Sequence, residues 1–242
     1  MGRHSRSKQL DASPYNWPHD GSLSPKTTAL VIIDMQRDFC EEGGYFDCQG
    51  YDYHVAQGIV PFLQILLENT RAAEYPVFFT REGHRPDLST LSSRERFRSK
   101  NNPRHLGIGD TGPLGRFLIR GEPGHDIIPE LKPNPDEVVI DKPGKGAFVH
   151  TDFEHLLRLR GIKNLVLVGI TTDVCVSTIM REANERGFDC VVLEDATAAA
   201  TPELHQYALE SVKLEGGILG AVATCRSFLR SLPWSKIADK ME

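Results

Sequence analysis

Three reactive side chains occupy the same kind of position in the sequence, close behind a short apolar run. Asp34 ends the run ALVIID, Lys142 follows VVID, and Cys175 comes just after LVLVGITTD, where a helical pattern begins. A thiolate can attack a carbonyl while a carboxylate carries the proton and an ammonium group stabilises negative charge. The sequence therefore predicts Cys175 as nucleophile, Asp34 as general base and Lys142 as electrostatic partner.

The position of Cys175 between a strand and a helix predicts an activated thiol. Unpaired amides and the helix dipole at a helix N-terminus lower the pKa of a thiol, and a nearby lysine lowers it further. The backbone N–H of Cys175 can also bind a tetrahedral oxyanion. Each residue taken singly has an ordinary alternative: a helix cap for Asp34, a solvated charge for Lys142 and a core thiol for Cys175.

Six β-rich runs predict the strands that bring these side chains together. They are ALVIID (29–34), PVFFT (76–80), EVVID (137–141), NLVLVG (164–169), CVVLE (190–194) and ILGAVA (218–223). Most are continuously apolar, which is typical of strands buried on both faces of a parallel sheet. Helical patterns cover 55–74, 152–161, 176–187 and 202–217. This alternation predicts an α/β fold whose strands share one carboxyl edge, where such proteins bind ligands.

Local signals refine three of these helices. Pro61 predicts a late start or a kink in the first. Thr151 is a predicted N-cap, with Glu154 completing a capping box. Thr201 is a predicted cap with Pro202 at the first helical position.

The chain is predicted to form one domain with additions at its ends. Residues 1–26 are a polar N-terminal arm, 27–233 are the single domain, and 234–242 are a C-terminal tail. Residues 83–136 are rich in proline, glycine and arginine and show little periodicity. We expect them to form an insertion over the carboxyl ends of the strands, because a loop of this length is usually functional.

Composition excludes several classes of function. The 242 residues carry a net charge of −5, and no basic stripe predicts nucleic-acid binding. No apolar run approaches the length of a membrane span, and the N-terminus has no apolar signal core. The five cysteines are irregularly spaced, so we expect reduced thiols in a cytoplasmic protein.

Other chemistries are poorly supported by the sequence. No GxSxG elbow and no GxGxxG loop is present, and the stretch PGKGAF (143–148) lacks the spacing of a phosphate loop. Asp52, His54 and His84 could in principle bind a metal, but loop hydrogen bonding explains them better. We therefore predict no metal and no cofactor.

Three motifs together resemble the isochorismatase-like cysteine hydrolases: ALVIIDMQRDF, the lysine of DKPGKGAF, and GITTDVCVSTIMREANERG. The resemblance extends from about Thr27 to about Cys225. It implies a three-layer α/β/α sandwich with a six-stranded, mainly parallel sheet, and the catalytic roles given above for Asp34, Lys142 and Cys175. It also implies a cis peptide between Ile170 and Thr171, an oxyanion hole formed by Thr171 and Cys175, and a homodimer or homotetramer.

Within this family the chain looks most like the ureide amidases that hydrolyse biuret and triuret. The shared stretches are TREGHRPDL, IGDTGPLGR, RGEPGHDIIPEL, IDKPGKG and GITTDVCVSTIMREAN. The resemblance implies substrate contacts from Phe39, Lys145, Thr172 and Glu215. By this resemblance, biuret hydrolases have glutamine at the position of Glu215. The difference favours triuret as the substrate, because triuret is a longer ureide with more N–H donors.

The predicted function is hydrolysis of a terminal C–N bond of a small linear ureide through a Cys175 thioester. Triuret is favoured, with biuret as the first alternative. A nicotinamidase-like or ureidoacrylate-like amidase would use the same fold. Two alternatives come from other classes: a non-catalytic binding or assembly protein on this scaffold, and a redox-sensing thiol, which would need a resolving cysteine near Cys175.

Overall fold

A parallel β-sheet forms the centre of the molecule. A computed structural model describes residues 8–233. Its strands over that range are β1 (Thr28–Ile33), β2 (Val77–Glu82), β3 (Thr111–Gly112), β4 (Gly115–Arg116), β5 (Val138–Lys142), β6 (Asn164–Ile170), β7 (Asp189–Ala198) and β8 (Ala221–Ala223). Six of them form one sheet in the order β5-β2-β1-β6-β7-β8, and every neighbouring pair is parallel. The short strands β3 and β4 pair separately as an antiparallel hairpin.

The six predicted runs are the six strands of this sheet, and the α/β prediction is confirmed. Every residue of β1 and β6 is buried, because both strands lie in the middle of the sheet with helices over both faces. The boundaries differ at the edges: β7 is longer than the predicted run, and β8 keeps only the last part of its run. Continuous apolar runs thus marked the buried strands correctly.

Helices cover the sheet on both sides. Over residues 8–233 they are α1 (Arg37–Cys40), α2 (Tyr45–Cys48), α3 (His54–Gly58), α4 (Val60–Ala72), α5 (Ser93–Ser99), α6 (Phe153–Leu159), α7 (Ser177–Glu185), α8 (Pro202–Lys213) and α9 (Cys225–Ser231). Alternate residues of β1 face opposite layers. Leu30 and Ile32 belong to the core with α4 and α9, whereas Val31 and Ile33 belong to the core with α6, α7 and α8. The result is the predicted three-layer sandwich.

The helix signals had mixed outcomes. The first predicted helix is divided into α3 and α4 at Ile59, with Pro61 in the first turn of α4, as expected. Thr201 caps α8 and accepts a hydrogen bond from Leu204 N, also as expected. The capping box was wrong: Asp152 is the N-cap of α6, and the hydroxyl of Thr151 accepts from Phe153 N instead.

The segment 83–136 carries α5, the β3–β4 hairpin and two short 3₁₀ turns. An isolated bridge between Ile127 and Gln36 ties it to the loop after β1, and a second bridge, His84 with Ile119, closes the segment on itself. Its Leu118 N–H donates to the buried carboxylate of Asp38 at 2.8 Å. The segment is therefore an ordered cover beside the carboxyl ends of β1 and β2.

The described part of the N-terminal arm packs against the far edge of the sheet. Ser13 and Val222 exchange backbone hydrogen bonds of 2.8 Å, so the arm continues the sheet beyond β8. Trp17 is fully buried, and its Nε1 and the Tyr15 hydroxyl both donate to Asp189 at 2.8 and 3.0 Å. The first seven residues of the predicted arm and the predicted tail 234–242 lie outside the described residues.

Two observations concern the predictions of reduced thiols and of no membrane span. All five cysteines are free thiols. No helix in the described part of the chain combines the length and apolarity that crossing a membrane requires.

Candidate active site

The carboxyl edge of the sheet brings the three predicted residues together. Asp34 directly follows β1, Lys142 is the last residue of β5, and Cys175 lies in a π-helical turn, Thr172–Val176, between β6 and α7. The backbone of Asp34 has a φ of 52°, a left-handed conformation that aspartate adopts more readily than most residues. Gly169 in β6 permits a close approach to β1, since a Cβ there would lie 2.2 Å from the carbonyl oxygen of Ile33.

Asp34 and Lys142 form a fully buried ion pair. Lys142 Nζ lies 2.8 Å from Asp34 Oδ2, and the two side chains are 0% and 1% exposed. Lys142 also donates to the Gly144 carbonyl at 2.8 Å, and the Thr80 hydroxyl donates to Asp34 Oδ1 at 2.7 Å. These contacts fix the carboxylate in one orientation.

Glu82 is a fourth member of the site and is absent from the residues predicted from the sequence. It is the last residue of β2 and stands opposite Lys142 in the β2–β5 register. Its Oε2 accepts from Cys175 Sγ at 3.7 Å and lies 3.9 Å from Lys142 Nζ, while its Oε1 pairs with Lys145 Nζ at 2.5 Å. A carboxylate at a strand end was the signal that had selected Asp34, and the same signal applies to Glu82.

The four charged groups balance one another. Burial would raise the pKa of Glu82, but the ammonium groups of Lys145 and Lys142 hold it below its usual value. Burial would lower the pKa of Lys142, but the charge of Asp34 keeps it above its usual value. Two carboxylates and two ammonium groups sum to zero, so the cluster is neutral when Cys175 carries its proton. Proton transfer from the thiol to a carboxylate conserves that balance.

The predicted low pKa of Cys175 was wrong. Burial raises the pKa of the thiol well above its ordinary value, and Lys142 opposes this shift only in part. The turn at Thr172–Val176 is π-helical and enclosed, so desolvation outweighs the helix dipole. The raised pKa favours a neutral Cys175 thiol, which donates to Glu82. To act as a nucleophile, this thiol would first have to lose its proton.

Alkylation of Cys175 by iodoacetamide should therefore stay slow near neutral pH and keep rising beyond pH 9, by about tenfold per pH unit. The reason is that only the thiolate reacts, and its fraction grows until the raised pKa is reached. The measurement is the rate of Cys175 modification by peptide mass spectrometry across pH, with free cysteine as the reference. A rate that levels off below pH 8 would contradict the buried-thiol description.

A cavity of about 320 Å³ opens onto the cluster. Five of the predicted site residues lie in its wall: Asp34, Phe39, Lys145, Thr171 and Cys175. The other lining residues are Tyr45, Phe46, Tyr51, Glu82, Leu118, Ile170, Asp173, Val174, Ala200 and Leu204. The peptide between Ile170 and Thr171 is cis, as the resemblance implied.

Two predicted substrate contacts are placed elsewhere. Thr172 is buried, and its hydroxyl is hydrogen-bonded to His205 Nδ1 at 2.8 Å instead of lining the cavity. Glu215 lies on an exposed turn after α8 with a φ of 52°, outside the cavity wall. The bond to His205 thus anchors the turn Thr172–Val176, which contains Cys175, to α8. Glu215 does not lie at the site.

A carboxylate other than that of Glu215 lies on the cavity wall. Asp173, in the turn that carries Cys175, lines the cavity, and its Oδ1 is buried with no hydrogen-bond partner among residues 8–233. Such an oxygen is costly to bury unless a ligand donates to it. Its signal in the sequence was its place between Thr172 and Cys175, in the motif already singled out.

The structure does not assemble the metal site considered for Asp52, His54 and His84. His54 and Asp52 are exposed and hydrogen-bonded to each other at 2.7 Å, and His84 Nδ1 contacts the Thr90 hydroxyl instead. Over residues 8–233, three ligand atoms within 4.8 Å of one another occur together only at Asp34, Glu82 and Cys175. The Lys142 ammonium already lies against both of these carboxylates, so this donor set does not fit a metal ion.

Comparisons with known proteins find relatives in sequence and in fold. The family described as "Isochorismatase domain" matches residues 28–224. Ureidoacrylate amidohydrolase RutB of Pantoea ananatis is 34% identical over 193 residues, covering 79% of this chain and 77% of the relative. RutB of Agrobacterium fabrum is 33% identical over 212 residues, covering 87% and 92%. The crystal structure of a cysteine hydrolase from Pseudomonas syringae pv. phaseolicola superimposes with a TM-score of 0.74 at 26% identity, covering 96% and 98%.

Proposed function

The chain belongs to the isochorismatase family, and from this premise we propose that it is a cysteine amidohydrolase that cleaves a terminal C–N bond of a small linear ureide. The observation that carries the proposal is the charge-balanced cluster of Asp34, Glu82, Lys142 and Lys145 around the buried Cys175 thiol at one end of the cavity. A nucleophile, proton acceptors and a fixed positive charge are the groups that acyl transfer requires.

Asp34 is the proton acceptor in this proposal. Glu82 is paired with Lys145 as well as lying near Lys142, and both ammonium groups hold its pKa below its usual value, which makes it a poor base although it contacts the thiol. Among the described residues, Asp34 is paired with Lys142 and has no ion pair with Lys145. One carboxylate oxygen of Asp34 lies within 4.8 Å of the sulfur, close enough for transfer once the thiol turns toward a bound carbonyl. Lys142 remains beside Asp34 and stabilises the charge that develops in the transition state.

The reaction proceeds in two halves. In the first, the Cys175 sulfur bonds to the terminal carbonyl carbon while its proton passes to Asp34. The C–N bond then breaks as Asp34 returns the proton to nitrogen. Ammonia departs, and the acyl group remains on Cys175 as a thioester. In the second half, water attacks the thioester carbon, gives its proton to Asp34, and the thiol is restored. The backbone amides of Thr171 and Cys175, both of which line the cavity, are the proposed oxyanion donors.

The substrate we favour is triuret, whose carboxylated product loses carbon dioxide to give biuret. Glu82 and Asp173 both place carboxylate oxygens on the cavity wall, and a ureide with more N–H groups can satisfy more of them. Biuret is the shorter alternative. Ureidoacrylate is a second alternative because the RutB relatives carry that name at 33–34% identity.

The test is the initial rate of ammonia release from triuret, biuret, ureidoacrylate and nicotinamide, each with purified protein. The highest kcat/KM on triuret supports the proposal. A preference for biuret keeps the mechanism and rejects the longer substrate, whereas a preference for ureidoacrylate assigns the activity for which the relatives are named. Activity on nicotinamide that a chelator abolishes would instead indicate a metal-dependent nicotinamidase. Absence of ammonia from all four would overturn the proposal.

A further inference from the structure

The charges that line the cavity are unequal in number. Three carboxylates, Asp34, Glu82 and Asp173, face it, against one ammonium group, that of Lys145. Lys145 is committed to two acidic partners, Glu82 at 2.5 Å and Glu95 at 3.5 Å. Within the described chain, no lining cation is therefore left to receive an anion.

Resting on the proposed function, we propose that Glu82 determines specificity by accepting an N–H of a neutral ureide and repelling substrates that carry a carboxylate. The side chain is 2% exposed, and its Oε2 lies 3.7 Å from the sulfur of the nucleophile. Lys145 is paired with Oε1 of Glu82, whereas Oε2 points toward the sulfur, and Asp173 Oδ1, which has no hydrogen-bond partner among the described residues, belongs to the same cavity wall. A substrate carboxylate placed a few ångströms from Oε2 would therefore be repelled. This separates the chain from relatives named for ureidoacrylate, which is itself a carboxylate.

A neutral ureide has the complementary groups. When Cys175 loses its proton, Oε2 of Glu82 loses its thiol donor, and a substrate N–H close to the scissile bond can replace it. Lys145, held on the other oxygen of Glu82, lies beside it and can donate to a neighbouring carbonyl. Alternating N–H and C=O groups of a ureide match this adjacent acceptor and donor.

Alkylation of Cys175 tests the inference without turnover. The probes are iodoacetamide, which is neutral, and iodoacetate, which is anionic; both react with the same thiolate. For wild-type protein, the iodoacetamide-to-iodoacetate rate ratio at Cys175 should exceed the ratio at the partly exposed Cys48 by about tenfold or more. Peptide mass spectrometry resolves the two sites in one sample. An equal or smaller ratio at Cys175 overturns the inference.

The Glu82→Gln variant assigns the effect to this residue. Glutamine keeps the size and one acceptor but removes the charge, so the ratio at Cys175 should fall at least about fivefold. Glu95→Gln is the matched control, because Glu95 also pairs with Lys145 but does not line the cavity, and it should change the ratio less than twofold. Equal effects of the two variants would place the selectivity in Lys145 and overturn the role of Glu82.

Kinetics supply the second readout. Relative to wild type, Glu82→Gln should raise the kcat/KM of ureidoacrylate relative to that of biuret by about tenfold, with most of the change in KM. An unchanged preference overturns the inference even if the alkylation ratio shifts. Since the alkylation ratio is independent of turnover, an inactive wild-type protein with a high ratio would reject the proposed reaction while leaving the charge selectivity standing.

Discussion

Replacing Cys175 with alanine should lower kcat/KM for the preferred ureide by about 10⁴-fold or more, because no other nucleophile in the cluster can form the thioester. The fold should persist. The side chain is 6% exposed and loses one sulfur atom, which costs about 1 kcal/mol of unfolding free energy. Loss of activity would thus be far larger than loss of stability.

Ammonia release and thermal unfolding of the same preparation measure both quantities. Cys48→Ala is the control, since Cys48 is a free thiol away from the cavity wall, and it should keep wild-type kcat/KM. Mass spectrometry of wild-type protein quenched during turnover should show the acyl group on Cys175. Full activity in the Cys175 variant would reject the thioester, and an inactive wild type with an intact fold would favour a binding or assembly protein.

The convergence of Asp34, Lys142 and Cys175 at one edge of the sheet could be predicted because each follows a distinctive apolar run. Glu82 could not be assigned to a strand end, because the apolar run PVFFT ends at Thr80 and two charged residues follow it. In the structure β2 continues through Arg81, which pairs with Asp141 across the β2–β5 register at 2.8 Å. A cross-strand ion pair thus extends a strand into residues that resemble a loop in sequence.

The failed substrate contacts depended on local backbone geometry. Glu215 stands in a left-handed turn outside the cavity wall, and no periodicity in KLEGG signals that turn. The resemblance also implies a substrate contact from Thr172, but in the π-helical turn its hydroxyl is hydrogen-bonded to His205. The resemblance could name both residues but could not assign the positions of their side chains.

The raised pKa of Cys175 has a similar origin. The sequence located the thiol at the start of a helix, where the dipole lowers a thiol pKa. Whether burial outweighs the dipole depends on how tightly the segment 83–136 and α8 enclose the site. Leu118 and Leu204 from these segments line the cavity, and neither could be placed there before the topology was known.

Replacing Lys142 with methionine should lower the free energy of unfolding at neutral pH by about 3–5 kcal/mol. Methionine fills much of the same space but leaves Asp34 and Glu82 buried without the ammonium that lies 2.8 and 3.9 Å from them. Activity should disappear as well, because one carboxylate would take up a proton. Chemical denaturation at several pH values and ammonia release measure the two effects.

The pH dependence distinguishes lost charge balance from lost packing. In wild type the pKa of Glu82 is lowered, so its stabilising contribution is present above the pKa of an unfolded carboxylate and is lost as pH falls through the folded value. Without Lys142 at least one carboxylate has a raised pKa, which destabilises the variant as pH rises through that value. The stability difference should therefore be largest near pH 7 and shrink below about pH 5.

Two further variants complete this prediction. Lys142→Met combined with Glu82→Gln removes one positive and one negative charge, so it should recover about 1–3 kcal/mol relative to Lys142→Met alone. Lys100→Met removes a surface ion pair of 2.6 Å with Asp110 and should cost about 1 kcal/mol or less, with little pH dependence. If Lys142→Met matched this surface control at every pH, the buried charges would not be coupled. Lys142 then could not be the electrostatic partner of Asp34 that the proposal requires, because a charge that stabilises the carboxylate must also stabilise the fold that buries it.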